Sequence, residues 1–109
     1  MKTKITIGAY EWNYSDEVKE MPSVDGDAKD NEVGTLGLCD YGKLELFIKK
    51  GMPKDLKKVV IVHELFHAFF ASAGFDPKEE ERVVDILANQ LVQFIKANPK
   101  FFKDKILKD

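Results

Sequence analysis

The length, composition and charge of this chain exclude several classes of protein. Its 109 residues, of which 44% are hydrophobic and 33% charged, fit one globular domain spanning residues 1–109 and not a disordered segment. The net charge is −2 and the lysines are scattered along the chain, so nothing predicts binding to nucleic acid.

The cysteine content and the apolar segments predict a cytoplasmic location. Cys39 has no second cysteine to pair with, which favours a reducing compartment. Residues 1–12 lack the long apolar run of a signal peptide. The longest apolar stretch, residues 59–70, is too short and too polar to cross a bilayer. We therefore expect a cytoplasmic protein that does not act at a membrane.

The first half of the chain has the patterns of short strands. Ile5 and Ile7 alternate with polar residues, which predicts one strand over residues 4–12. Polar residues 15–34 predict a loop. Two further strands are predicted over residues 35–39 and 43–50, joined by a turn at residues 40–43. In the last strand the residues predicted to share the buried face are Leu44, Leu46 and Ile48.

The second half has the signals of helices. Asp55 is placed to cap a helix that ends near Ala73, where Gly74 supplies a stop. A second helix is expected to run to about Ala97, with a start signal made of Asp76 as cap, Pro77 at the first helical position and Glu79 completing a capping box.

The end of the chain completes the predicted architecture. Residues 100–109 are expected to form a short third helix that packs the apolar side chains of Phe101, Phe102, Ile106 and Leu107. The order of elements predicts an α+β fold, with a small antiparallel or mixed sheet of about three strands and the helices on one face.

The first predicted helix carries the only two histidines of the chain, in the pattern His63-Glu64-x-x-His67. Residues four apart lie on the same face of a helix, so both imidazoles can reach one ion. Glu64 lies beside them and is better placed to reach a water on that ion. The spacing therefore predicts a zinc site with Glu64 as general base.

A catalytic zinc site needs a third protein ligand. A metzincin would have glycine and histidine at the positions of Phe70 and Ala73, which excludes that class. The second helix offers carboxylates instead. Glu81 lies at the edge of its apolar arc and is the predicted ligand; Glu80, predicted to point towards the packed side, is the alternative.

A further carboxylate lies one turn beyond the predicted ligand. Histidines that bind a metal usually donate their other N–H to a carboxylate or a carbonyl. Asp85 is therefore predicted to orient one of the two imidazoles, the alternative being a solvated surface charge. An oxyanion stabiliser is also needed for peptide hydrolysis, and the candidates are Tyr10, Tyr14 and Tyr41.

The segments "HELFH" (63–67) and "EERVVD" (80–85) resemble the gluzincin metallopeptidases. Residues 35–100 resemble small phage- and prophage-encoded zinc peptidase-like proteins of the IrrE/ImmA type in the order and spacing of strand, HExxH helix and following helix. The resemblance implies a minimal zincin fold, with Zn²⁺ bound by His63, His67 and Glu81 and with Asp85 behind the ligands.

The main functional hypothesis is a zinc metallopeptidase that hydrolyses a peptide bond in a protein or peptide by Glu64-assisted attack of zinc-bound water. The alternative is a non-catalytic, zincin-like module that binds a protein. A third interpretation is a structural domain whose histidines bind nothing. Residues 43–50 are expected to be an edge strand that pairs with an extended peptide, or an edge protected by Lys49 and Lys50.

Overall fold

The computed structural model describes residues 2–22 and 36–108, which form a mixed α+β fold. Four strands lie in one sheet within those residues: β1 (Lys2–Ile7), β2 (Tyr10–Val18), β3 (Gly37–Asp40) and β4 (Glu45–Lys49). The prediction of an α+β fold with a mixed sheet is confirmed. Most of the predicted loop over residues 15–34 lies outside the described residues.

The strands are ordered β1-β2-β4-β3 in the sheet. The β1–β2 and β3–β4 pairs are antiparallel, whereas β2 and β4 are parallel. The prediction that residues 43–50 form an edge strand is wrong, because β4 is hydrogen-bonded on both sides. The edge of the sheet on this side is instead the short strand β3, which is the neighbour of β4.

Two predictions about the first strand also need correction. Residues 4–12 do not form a single strand: the chain reverses at Gly8, whose φ of 60° suits glycine, and β2 then pairs back on β1. The predicted loop from residue 15 begins too early, because β2 continues to Val18. The count of about three strands is therefore one too low.

The core lies between the sheet and the first helix, α1 (Lys54–Ala73). Leu46 and Ile48 are fully buried, which confirms the predicted face of β4. Ile7, Trp12, Leu46 and Ala68 form one apolar cluster, with Leu44 packed against it. The backbone of Leu44 has a φ of 56°, an uncommon value for a branched residue, in the turn that leads into β4.

The second helix, α2 (Glu80–Ala97), packs against α1. It runs antiparallel to α1, because Lys96 near its end donates a hydrogen bond to Asp55 at the start of α1, with 2.9 Å between Nζ and Oδ1. Asp55 is thus an ion-pair partner and not the predicted cap; Pro53 occupies the cap position. Gly74 ends α1 with a φ of 68°, as predicted.

The start of α2 differs from its prediction. Asp76 and Pro77 do not begin the helix, which starts at Glu80 after Glu79 at the cap position. The backbone of Glu79 is left-handed, with φ 55° and ψ 44°, and its side chain makes no capping hydrogen bond. The abrupt start places Glu80 and Glu81 in the first turn, where the helix dipole stabilises negative charge.

Replacing Glu79 with glycine is expected to stabilise the protein by about 0.5–1 kcal/mol. Glycine adopts the left-handed conformation without the steric penalty of about 1–2 kcal/mol, although its greater freedom in the unfolded chain offsets part of the gain. The ion pair of Glu79 with Arg82 joins two exposed side chains and contributes little. Urea unfolding measures the change.

The control for this prediction is Lys78→Gly, one residue earlier, where φ is not positive. That variant should be less stable than the wild type, since it gains only unfolded-state entropy. An equal or lower stability of Glu79→Gly would show that the left-handed backbone at this residue is not strained.

The C-terminal segment forms a helix but does not pack as predicted. A short helix, α3 (Pro99–Phe101), continues directly as a π-helix over Phe102–Leu107. Phe101 contacts the ring of Phe94, but Ile106 and Leu107 are largely exposed, so the predicted packing is wrong for those two. Within residues 2–22 and 36–108, no helix combines the length and apolar character needed to span a membrane.

Candidate metal centre

Helix α1 presents different chemistry on two neighbouring faces. Glu64 and Ala68 are one turn apart and both are buried against the sheet side of the helix. His63 and His67 are also one turn apart, rotated by about 100° from that pair, and they face α2. The pattern of the helix therefore directs Glu64 towards the sheet and the two imidazoles towards the start of α2.

The two imidazoles and one carboxylate converge on a common point. The Nε2 atoms of His63 and His67 are 3.3 Å apart. Glu81 bridges them, with Oε1 lying 3.0 Å from Nε2 of His63 and Oε2 lying 2.7 Å from Nε2 of His67. Among the described residues, these three side chains offer ligand atoms that all lie within 4.8 Å of one another.

This geometry fits the donor set of a catalytic zinc ion. Zinc takes two histidine nitrogens and a carboxylate oxygen at about 2.0–2.2 Å, and ligands of one tetrahedral ion are then about 3.3 Å apart. The separation of the two Nε2 atoms matches that value. Three such ligands on one ion would leave a fourth position for water or substrate.

The outward nitrogens of both imidazoles have carboxylate partners on α2. Nδ1 of His63 lies 2.9 Å from Oδ1 of Asp85, the residue predicted to orient an imidazole. Nδ1 of His67 is hydrogen-bonded to Oε2 of Glu80. The sequence predicted that Glu80 points towards the packed side of α2. In the structure its carboxylate contacts the outward nitrogen of His67.

The contacts of Glu80 and Glu81 separate the two candidate ligands. Glu81 reaches the inward Nε2 atoms of both histidines, and its side chain is 72% exposed. Glu80 reaches only the outward Nδ1 of His67, and its side chain is 30% exposed. The geometry therefore favours Glu81 as the ligand, which remains a prediction.

The local charges favour the protonated form of His67 when no metal is bound. Burial lowers the pKa of His67, but the hydrogen bond to Glu80 and the charges of Glu81 and Glu64 raise it, and the net pKa lies above the ordinary value. A metal ion binds only the neutral imidazole, so a raised pKa at His67 makes metal binding more sensitive to a fall in pH.

Glu64 is the one buried charged residue among those described, with a relative exposure of 7%. It fits beside the edge strand because residue 37 is glycine. A Cβ atom at Gly37 would lie 2.8 Å from Oε2 of Glu64 and 2.8 Å from Cγ1 of Val60. The missing side chain thus makes room for the carboxylate between α1 and β3.

Cys39 lies on β3, near the carboxylates of Glu64 and Asp40. Burial, followed by the charges of Glu64 and Asp40, raises the pKa of the Cys39 thiol to about 12. The thiol is therefore protonated at neutral pH, and metals bind the thiolate. Its sulfur does not belong to the converging ligand atoms.

The tyrosines considered as oxyanion stabilisers have different surroundings. The hydroxyl of Tyr14 lies 3.4 Å from Oδ2 of Asp16, and that carboxylate forms an ion pair with Lys57. Burial and the neighbouring charge of Asp16 raise the pKa of Tyr14 to about 12. Tyr10 and Tyr41 are exposed, at the start of β2 and in the turn after β3.

Comparisons with protein-family models, with curated proteins and with solved structures find no match to this chain. The residues and the geometry of the site are therefore the basis for inferring a function.

The contact of Glu80 with His67 was not predicted from the sequence. If two imidazoles bind one metal ion, each needs an acceptor for its outward N–H, but the prediction gave such a role only to Asp85. Counting one acceptor for each histidine would have drawn attention to Glu80, the carboxylate next to the predicted ligand.

Proposed function

We propose that this protein is a zinc-dependent peptidase of the minimal gluzincin type. The observation that carries the proposal is the convergence of Nε2 of His63, Nε2 of His67 and the carboxylate of Glu81. Those three side chains are the proposed zinc ligands. The resemblance of residues 35–100 to small zinc peptidase-like proteins adds support and suggests a protein or peptide as substrate.

Zinc and Glu64 would have different roles in the proposed reaction. Bound zinc would act as a Lewis acid and lower the pKa of water towards 7. Glu64 accepts the proton of the attacking water and then delivers it to the amine nitrogen that leaves when the peptide bond breaks. Glu64 is buried beside Gly37, which keeps bulk water away from its carboxylate.

The edge of the sheet suggests how a peptide would lie in the site. Strand β3 is paired only with β4 among the described residues, which leaves its outer backbone groups to pair with an added strand. An extended peptide on that edge gains main-chain hydrogen bonds and lies beside Gly37, next to Glu64.

The same edge strand favours a second candidate function, which is capture of a protein segment without cleavage. Strand addition on β3 does not require turnover. The two candidates differ in one observable, because only a peptidase consumes the bound peptide.

The test begins with metal content and continues with cleavage. Elemental analysis of the purified protein should find about one zinc per chain. Mass spectrometry of an unfolded protein or peptide mixture should show new cleavage products, which a chelator abolishes and added zinc restores. Metal with peptide binding but without products would favour the capture function. A protein that takes up no zinc would overturn the peptidase proposal and leave only the capture function.

A further inference from the structure

The segment from Glu80 to Asp85 has three carboxylates, and all three contact the imidazoles of α1. Each carboxylate contacts different ring nitrogens. Asp85 meets Nδ1 of His63, Glu80 meets Nδ1 of His67, and Glu81 lies between the two Nε2 atoms. Carboxylates from one helical segment therefore contact all four ring nitrogens of the two imidazoles.

This arrangement determines which nitrogens face the ligand point. An imidazole that donates its Nδ1–H to a carboxylate keeps its Nε2 lone pair available for a metal. Rotation of the ring by half a turn would break the hydrogen bond at Nδ1. A carboxylate at each Nδ1 therefore selects both the tautomer and the ring orientation that a metal needs.

We propose that Glu80 is a positioning residue for His67, holding Nε2 of that ring towards the metal point, as Asp85 does for His63. This inference rests on the proposed zinc site and assigns Glu80 a role that differs from that of a ligand. The position of its oxygen on Nδ1, and its lower exposure relative to Glu81, carry the assignment.

The first measurement is zinc affinity by competition with a chelator. Glu80→Ala should weaken zinc binding by about 10- to 100-fold, the usual effect of losing a carboxylate behind a ligand. Glu80→Gln should recover part of the affinity, because its amide oxygen still accepts a hydrogen bond from Nδ1. Glu81→Ala should lose more than either variant.

Glu79→Gln is the matched control. It removes a negative charge from the residue before Glu80, in a side chain that pairs with Arg82. Its zinc affinity should stay within about 3-fold of the wild type, since the charge is exposed and screened. A loss equal to that of Glu80→Ala would mean that only total charge matters, and would overturn the positioning role.

The second measurement determines the tautomer of the His67 imidazole in the metal-free protein. In a Glu81→Ala background, which removes the carboxylate 2.7 Å from Nε2 of His67, nitrogen NMR of neutral His67 should show the proton on Nδ1. Adding Glu80→Ala should shift the ring towards the Nε2-protonated form. This readout needs neither zinc nor a peptide, so it stands if no cleavage is ever found. An unchanged tautomer, or a zinc loss at Glu80→Ala as large as at Glu81→Ala, overturns the proposal.

Discussion

Glu81→Ala is expected to reduce zinc affinity by at least about 100-fold, more than the loss of a carboxylate behind a ligand produces. Glu81 is the side chain that reaches both inward nitrogens, at 3.0 Å and 2.7 Å. Its removal leaves two imidazoles four residues apart on one helix, which is an incomplete donor set for zinc in a catalytic site.

The same variant should lose most of the stability that the metal confers. At a free zinc concentration about 1,000-fold above Kd, binding adds about 4 kcal/mol to the free energy of unfolding, and 100-fold weaker binding leaves about 1.4 kcal/mol. For a chain of this length the difference lowers Tm by about 10 °C. Calorimetry with and without zinc measures it.

The metal-free proteins provide the control. Without zinc, wild type and Glu81→Ala should melt at similar temperatures, because the side chain of Glu81 is largely exposed. If added zinc raised the Tm of the variant as much as that of the wild type, Glu81 would not be a ligand. Glu80→Ala should then be tested as the variant that loses the metal.

The parts of the site that could be predicted depend on local geometry. The spacing of His63 and His67 places them on one face of any helix, and the apolar pattern around them made that helix clear. The end of α1 at Gly74 was also predictable, because a left-handed residue closes many helices. Such features need no knowledge of distant contacts.

The features that were missed depend on distant contacts or on hidden turns. The alternation of apolar residues continues through Gly8, so it does not reveal that β1 and β2 are separate strands. The parallel pairing of β2 with β4 joins segments far apart in the chain, which places β3 and not β4 at the edge.

The start of α2 shows a conflict between local signals and the final packing. Asp76, Pro77 and Glu79 form a sequence typical of a helix start, yet the helix begins only at Glu80. The left-handed residue Glu79 directly precedes the first turn, in which Glu80 and Glu81 contact the imidazoles of α1. Helical periodicity alone could not assign these two carboxylates to different nitrogens.

Glu64→Gln is expected to lower peptide cleavage by about 10²- to 10⁴-fold, the range that general base catalysis contributes. Glutamine has nearly the same shape as glutamate and fits the space beside Gly37, but its amide cannot take a proton from water. Because Glu64 is not among the converging ligand atoms, zinc content should stay at the wild-type level.

Four measurements on this variant, of turnover, zinc content, peptide affinity and Tm, distinguish a general base from a ligand and from a packing residue. A chemical role predicts lost turnover with unchanged zinc content and unchanged peptide affinity, so the variant should trap uncleaved peptide. A ligand role predicts lost zinc, and a packing role predicts a lower Tm with a parallel loss of zinc and peptide binding. Wild-type turnover in Glu64→Gln would remove this carboxylate from the mechanism, because no proton could then pass through its side chain.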